Sequence, residues 1–209
     1  MISKRKRLDG CRLYLILDIQ VCDYRRSWQI LKKAVQGGID IVQLRDKHGS
    51  ARETLRFAQK IQTYLADRIP FIVNDRVDIA LLSGASGVHV GQDDLPLAEV
   101  RKILGPQKII GASCQTVAHI RQAEKEGVDY IGFGSVFKTL TKPDRPSMNL
   151  AILGRAAREA RVPLFAIGGI TRKNLSEVMA IGPTRVAVCR EIMLSDDVAL
   201  SVGEMKKLL

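Results

Sequence analysis

Cations, amides and carboxylates close several short apolar runs of this chain. Gln43-Leu44-Arg45-Asp46-Lys47 ends one of them, and alternation puts Gln43, Arg45 and Lys47 on one side with Val42 and Leu44 on the other. Two cations and an amide on one face suit a phosphate or diphosphate, held by charge-assisted hydrogen bonds. The competing use is a solvated strand end laced with salt bridges. Asn74-Asp75 ends the next run and Gln92-Asp93-Asp94 the one after, with Asp75 and Asp94 19 residues apart. That separation is one strand–helix step, so adjacent parallel strands would hold both carboxylates at one rim. Two carboxylates opposite phosphate-binding cations suit Mg²⁺, which uses one or two carboxylates plus substrate phosphates. The pair could instead work as general acid and base, and Asp94 alone could cap a helix starting at Leu95-Pro96.

Further along, Gly111-Ala112-Ser113-Cys114-Gln115-Thr116 offers the Ser113 hydroxyl to a phosphate oxygen, and Thr116 as a helix cap. Cys114 reads as a packing residue, because no histidine follows to activate it. Gly132 and Gly134 allow close backbone approach to a ligand. Lys138-Thr139-Leu140-Thr141-Lys142-Pro143 is a loop of hydroxyls and cations fit for an oxyanion. Gly168-Gly169 before a helix frees backbone amides for phosphate, and Cys189-Arg190 closes the last apolar run. His89 lies inside a strand-like run, and its role stays open.

The elements that must position these residues are legible as a repeating order. The apolar runs are 13–18, 39–46, 70–75, 87–92, 108–114, 130–137, 163–170 and 185–192, rich in the Val and Ile of buried strands. Amphipathic segments separate them; 50–68 places Leu55, Ala58, Ile61 and Leu65 on one helical face. Alternating β and α implies a parallel sheet with right-handed crossovers. Eight units in 209 residues average about 26 residues each, which fits a compact (β/α)₈ TIM barrel better than an open doubly wound sheet. Residues 1–209 read as one domain, with 1–10 as a basic N-terminal tail in which Lys4–Arg7 read as solvated. In such a barrel active sites lie at the C-terminal strand ends and in the loops that follow, where the residues above other than His89 cluster.

Composition narrows the function classes. Lys and Arg number 33 against 22 Asp and Glu, and the resulting charge of +11 attracts phosphates, nucleic acids or anionic membranes. Aromatics are only 5% of the chain, too few for a base-stacking platform, so nucleic acid is not the expected partner. No stretch approaches the ~18 apolar residues of a membrane span, so no membrane partner is expected. The four cysteines, Cys11, Cys22, Cys114 and Cys189, have neither zinc nor C-x-x-C spacing and suit a reducing, cytoplasmic compartment. A homo-oligomer is left open.

Five segments, in order, resemble one family, the thiamine-phosphate synthases. They are Gln43-Leu44-Arg45-Asp46-Lys47, Val73-Asn74-Asp75-Arg76, Gly87-Val88-His89-Val90-Gly91-Gln92-Asp93-Asp94-Leu95-Pro96, Thr139-Leu140-Thr141-Lys142-Pro143 and Ala166-Ile167-Gly168-Gly169-Ile170. The resemblance implies a transferase joining hydroxymethylpyrimidine diphosphate to thiazole phosphate, giving thiamine phosphate and pyrophosphate. It implies that Gln43, Leu44, Arg45, Asp46, Lys47, Asn74, Ser113 and Lys142 hold the pyrimidine diphosphate. Arg45, Lys47, Ser113 and Lys142 would be the catalytic set. Asp75 and Asp94 would hold Mg²⁺ on the pyrophosphate. Thr139, Leu140, Thr141, Gly169, Cys189 and Arg190 would hold the thiazole phosphate. The family commonly has Ser at Arg190, a larger aliphatic residue at Cys189, His at Gln115 and Pro at Ser135. The alternatives are a homologous thiazole tautomerase, a non-catalytic phosphate-ligand sensor and a nucleic-acid binder using Lys4–Arg7.

Overall fold

The computed structural model describes residues 8–139, 147–183 and 185–209. Eight strands pair in parallel and in chain order to close a barrel, β1 returning to β8. They are β1 (Leu13–Asp18), β2 (Ile41–Arg45), β3 (Phe71–Asn74), β4 (Gly87–Val90), β5 (Ile109–Cys114), β6 (Tyr130–Phe133), β7 (Leu164–Ile167) and β8 (Val186–Val188). The helices between them are α1 (Tyr24–Gln36), α2 (Ala51–Leu65), α3 (Val77–Leu82), α4 (Leu97–Leu104), α5 (Val117–Lys125), α6 (Leu150–Glu159) and α7 (Leu175–Ala180). After β8 come α8 (Arg190–Met193) and α9 (Val198–Leu208).

Each of the eight apolar runs contains one strand, but two runs change course at their ends. In the last run only Val186–Val188 is strand, and Arg190 starts a helix rather than ending a strand. The reason is burial: one helical turn, with Ile192 and Met193 amides bonded to Cys189 O, packs both side chains into the core. A continuous apolar run does not by itself separate a buried strand from a buried helix. In the run 130–137 the strand stops at Phe133, and the Val136 and Phe137 amides bond to Ile167 O and Gly168 O, tying this loop to the end of β7.

Strand alternation builds two separate apolar layers. Leu13, Leu15, Leu17, Val42 and Leu44 face outward and pack under the helices. Tyr14, Ile16, Ile41, Ile72, Ile109, Tyr130 and Phe165 fill the barrel. Leu8 belongs to this inner layer and is 1% exposed, so the end of the basic tail packs into the barrel. Residues 1–7, which carry Lys4–Arg7, lie outside the described residues. Caps fix where helices begin: Ser50 accepts from the Glu53 amide at 3.2 Å and Thr116 from the His119 amide at 3.1 Å, the latter as its sequence position suggested.

Candidate active site

The C-terminal strand ends enclose a cavity of about 310 Å³. Gln43, Arg45, Asn74, His89, Ser113, Thr139, Gly169, Cys189 and Arg190 all line it. Residues from seven different strands or the loops after them therefore converge. Leu44, by contrast, is buried in the layer under the helices, so its side chain is directed away from the cavity. Leu140, Thr141 and Lys142 lie outside the described residues.

Arg45 is held from β1. Its Nη1 donates to Asp18 Oδ2 at 2.7 Å and to Gln20 Oε1 at 2.8 Å, while its Nε is buried with no hydrogen-bond partner among the described residues. A buried orphan donor in a cavity wall suits an incoming oxyanion. The sequence reading missed Asp18 as a site residue. The signal was there: Asp18 is in phase with Tyr14 and Ile16, and it is the register partner of Arg45.

The adjacent rim carries the carboxylates. Asp75 pairs with Lys47 and accepts from Asn74 Nδ2 at 2.6 Å. Its φ of 59° lies in the left-handed region, which Asp enters more readily than most non-glycine residues. Asp94 lies beside it. Burial pushes the Asp75 carboxyl above its ordinary range; Lys47 opposes this, and the Asp94 carboxyl adds to it. Asp94 does not cap α4, whose first flanking residue is Pro96; its Oδ2 accepts from the Gly91 amide at 2.7 Å and turns back over the end of β4. Two carboxylates held together against their mutual repulsion fit a divalent cation.

Asp46 has a different task. It accepts from the Tyr24 hydroxyl, from Thr54 Oγ1 at 2.8 Å and from the Gly49 amide at 2.8 Å, organising the loop between β2 and α2. Burial opposes its ionised form, but these hydrogen bonds outweigh burial and hold the carboxyl below its usual value. Only the resemblance grouped Asp46 with the ligands.

The opposite wall is made by the loops after β6, β7 and β8. Gly168 and Gly169 have φ of 103° and 62°, and a Cβ on Gly169 would stand 2.6 Å from Lys138 O. Only glycine fits this crossing of two loops. Arg190 lines the cavity, and no carboxylate pairs with it among the described residues. Of the two carboxylates that could have drawn it outward, Glu191 and Asp196, the first is engaged by Arg172 Nε at 3.1 Å. Cys189 Sγ lies 3.7 Å from Met193 Sδ.

The floor beneath the cavity holds Tyr14 and Tyr130, which the sequence did not single out, together with His89, whose role it left open. Tyr14 and Tyr130 hydroxyls are 2.9 Å apart, and His89 bridges Tyr130 to Ser113. The glycines expected to admit a ligand partly serve this floor: a Cβ on Gly132 would meet His89 Cε1 at 3.1 Å. Cys114 is buried, and burial pushes its thiol up to about 12, so it is inert packing.

A sequence model for the family described as thiamine monophosphate synthase matches residues 13–192. The chain belongs to this family. Among relatives, the thiamine-phosphate synthase of Shouchella clausii is 46% identical over 90% of this chain and 90% of its own length. The thiamine-phosphate synthase of a Synechococcus species is 44% identical over 99% of this chain, which spans 60% of that relative. The solved thiamine phosphate pyrophosphorylase of Pyrococcus furiosus superposes with a TM-score of 0.86 at 32% identity, covering 98% of this chain and 96% of that one. Membership in the thiamine monophosphate synthase family makes this barrel a transferase of thiamine biosynthesis. No described helix is long and apolar enough to cross a membrane.

Proposed function

We propose that this cavity joins hydroxymethylpyrimidine diphosphate to thiazole phosphate, releasing pyrophosphate and giving thiamine phosphate. The observation that carries the reading is the opposition of two anion-binding walls across one cavity. Arg45 and Asn74 line it from β2 and β3, with Lys47 and the two carboxylates clustered next to Asn74, while Gly169 and Arg190 line it from beyond β7 and β8. Two anionic substrates need two such walls, and one cavity brings their reactive carbons and nitrogens together.

Arg45, with its unpartnered Nε, and Lys47 bind the diphosphate and stabilise the charge that grows on it as it leaves. Lys142 is assigned to the same task. Asp75 and Asp94 would hold Mg²⁺, which when bound neutralises charge on the departing pyrophosphate. Ser113 donates to the same group. Arg190, the Gly169 loop and Thr139 with Thr141 orient the thiazole phosphate so that its ring nitrogen attacks the pyrimidine methylene carbon. That carbon develops cationic character as pyrophosphate departs, so the reaction requires no protein nucleophile. The test is mass spectrometry of the product formed from the two substrates with Mg²⁺. Thiamine phosphate is expected; its absence, with both substrates intact, overturns the reading.

Two consequences bear on the two walls. Lys142→Ala should weaken the pyrimidine diphosphate by about 1.5–3 kcal/mol, the worth of a charge-assisted contact, and leave the pyrimidine alcohol unaffected. Calorimetric titration of both ligands checks it, and equal weakening would place Lys142 elsewhere. Arg190→Ser restores the residue common in the family. It should raise KM for thiazole phosphate roughly tenfold, because a guanidinium pairs bidentately where serine only hydrogen-bonds. KM for the pyrimidine diphosphate should stay constant. A lowered thiazole KM would mean that Arg190 obstructs the site.

A further inference from the structure

We propose that Gln43, Tyr14, Tyr130 and His89 form a directional hydrogen-bond relay beneath the cavity, which holds the Ser113 hydroxyl as a donor toward the diphosphate. The proposal rests on the function given above. Gln43 Nε2 donates to the Tyr14 hydroxyl at 2.7 Å, and the two tyrosine hydroxyls are 2.9 Å apart. The Tyr130 hydroxyl lies 3.0 Å from His89 Nδ1, and His89 Nε2 lies 3.0 Å from Ser113 Oγ. The five residues come from β2, β1, β6, β4 and β5.

Proton counting gives the chain its direction. An amide nitrogen only donates, so Tyr14 accepts from Gln43 and directs its single proton to Tyr130. Tyr130 in turn donates to His89 Nδ1. A neutral imidazole accepting at Nδ1 carries its proton on Nε2 and donates it to Ser113. Ser113 Oγ, already an acceptor, turns its own proton into the cavity. The reverse order would face a lone pair of Ser113 toward an anion, which is repulsive. Burial supports the relay: Tyr14 and Tyr130 are 2% and 0% exposed, and burial pushes both phenols up, so both keep their protons. The Ser113 backbone is fixed as well, since Gln92 Nε2 donates to its carbonyl at 2.6 Å.

Ser113 is the residue that touches substrate; Tyr130 and His89 are positioning residues acting through it. A donor aimed at the leaving group matters most when charge has accumulated there, so the relay should govern kcat rather than KM. The first measurement is ¹⁵N NMR of the histidine side chains in the unaltered protein, with His89 assigned by the resonances lost in His89→Gln. The proposal expects the Nε2–H tautomer at His89; the Nδ1–H tautomer overturns it. The second is a double-mutant cycle. Tyr130→Phe should lower kcat about tenfold, the factor carried by one ordinary hydrogen bond, with KM for thiazole phosphate unchanged. In Ser113→Ala, adding Tyr130→Phe should lower kcat no further. Additive losses would show that Tyr130 acts independently of Ser113 and overturn the relay. If the unaltered protein forms no thiamine phosphate, the functional reading fails instead, and the tautomer still decides the relay.

Discussion

Asp94→Ala should lower kcat/KM by roughly 10²–10³-fold, the range seen when one preorganised charge-stabilising contact is removed, while the barrel stays folded. Asp94 is exposed enough to contribute nothing to either apolar layer, and its hydrogen bond from the Gly91 amide is local to one turn. Its removal also takes a like charge away from Asp75, whose carboxyl burial already disfavours in ionised form. Thermal stability without metal should therefore hold or rise slightly. The metal response separates this from a general loss of activity. Any ligand that binds only the folded state raises its stability by mass action, so Mg²⁺ with pyrophosphate should raise Tm of the unaltered protein and have little effect on the variant. Full activity of the variant in excess chelator would remove the metal from the assignment of Asp75 and Asp94.

The second large effect is on stability. Arg45 and Asp18 form an ion pair whose side chains are 10% and 1% exposed. Arg45→Met would leave Asp18 buried without its cation, which costs about 3–5 kcal/mol. For a domain of this size that corresponds to a Tm lower by roughly 6–20 °C. Removing both charges, in Arg45→Met with Asp18→Asn, should recover most of the loss, because a buried pair is close to neutral against uncharged side chains. The double variant should still bind pyrimidine diphosphate poorly. Urea denaturation and ligand titration together separate the two roles of Arg45. A single variant as stable as the parent would show that Asp18 does not depend on Arg45.

Much of this site was legible because barrel chemistry follows strand phase. Gln43 and Arg45 turn inward and Val42 and Leu44 outward, as a period of two demands. Asp75 and Asp94 meet because one strand–helix step returns the chain to the neighbouring strand end. Asp46 shows the same rule from the other side: one residue out of phase, it faces the helices and ties down a loop, whatever its neighbours do.

The amino-acid sequence by itself determined the alternation of eight strands and helices, the inward phase of Gln43 and Arg45 at the end of β2, and the family to which the chain belongs. These are local or periodic properties, set by side-chain size and polarity within a few residues. Only the tertiary structure decided which inward residues touch. Asp18 meets Arg45 through the register of β1 on β2, and Tyr14 meets Tyr130 across the barrel, although 116 residues separate them in the chain. The fate of Arg190 was likewise tertiary: an apolar run continued as strand or turned into helix according to where Ile192 and Met193 found a core to fill. Such contacts depend on closure, which fixes distances between strands that no sequence period encodes.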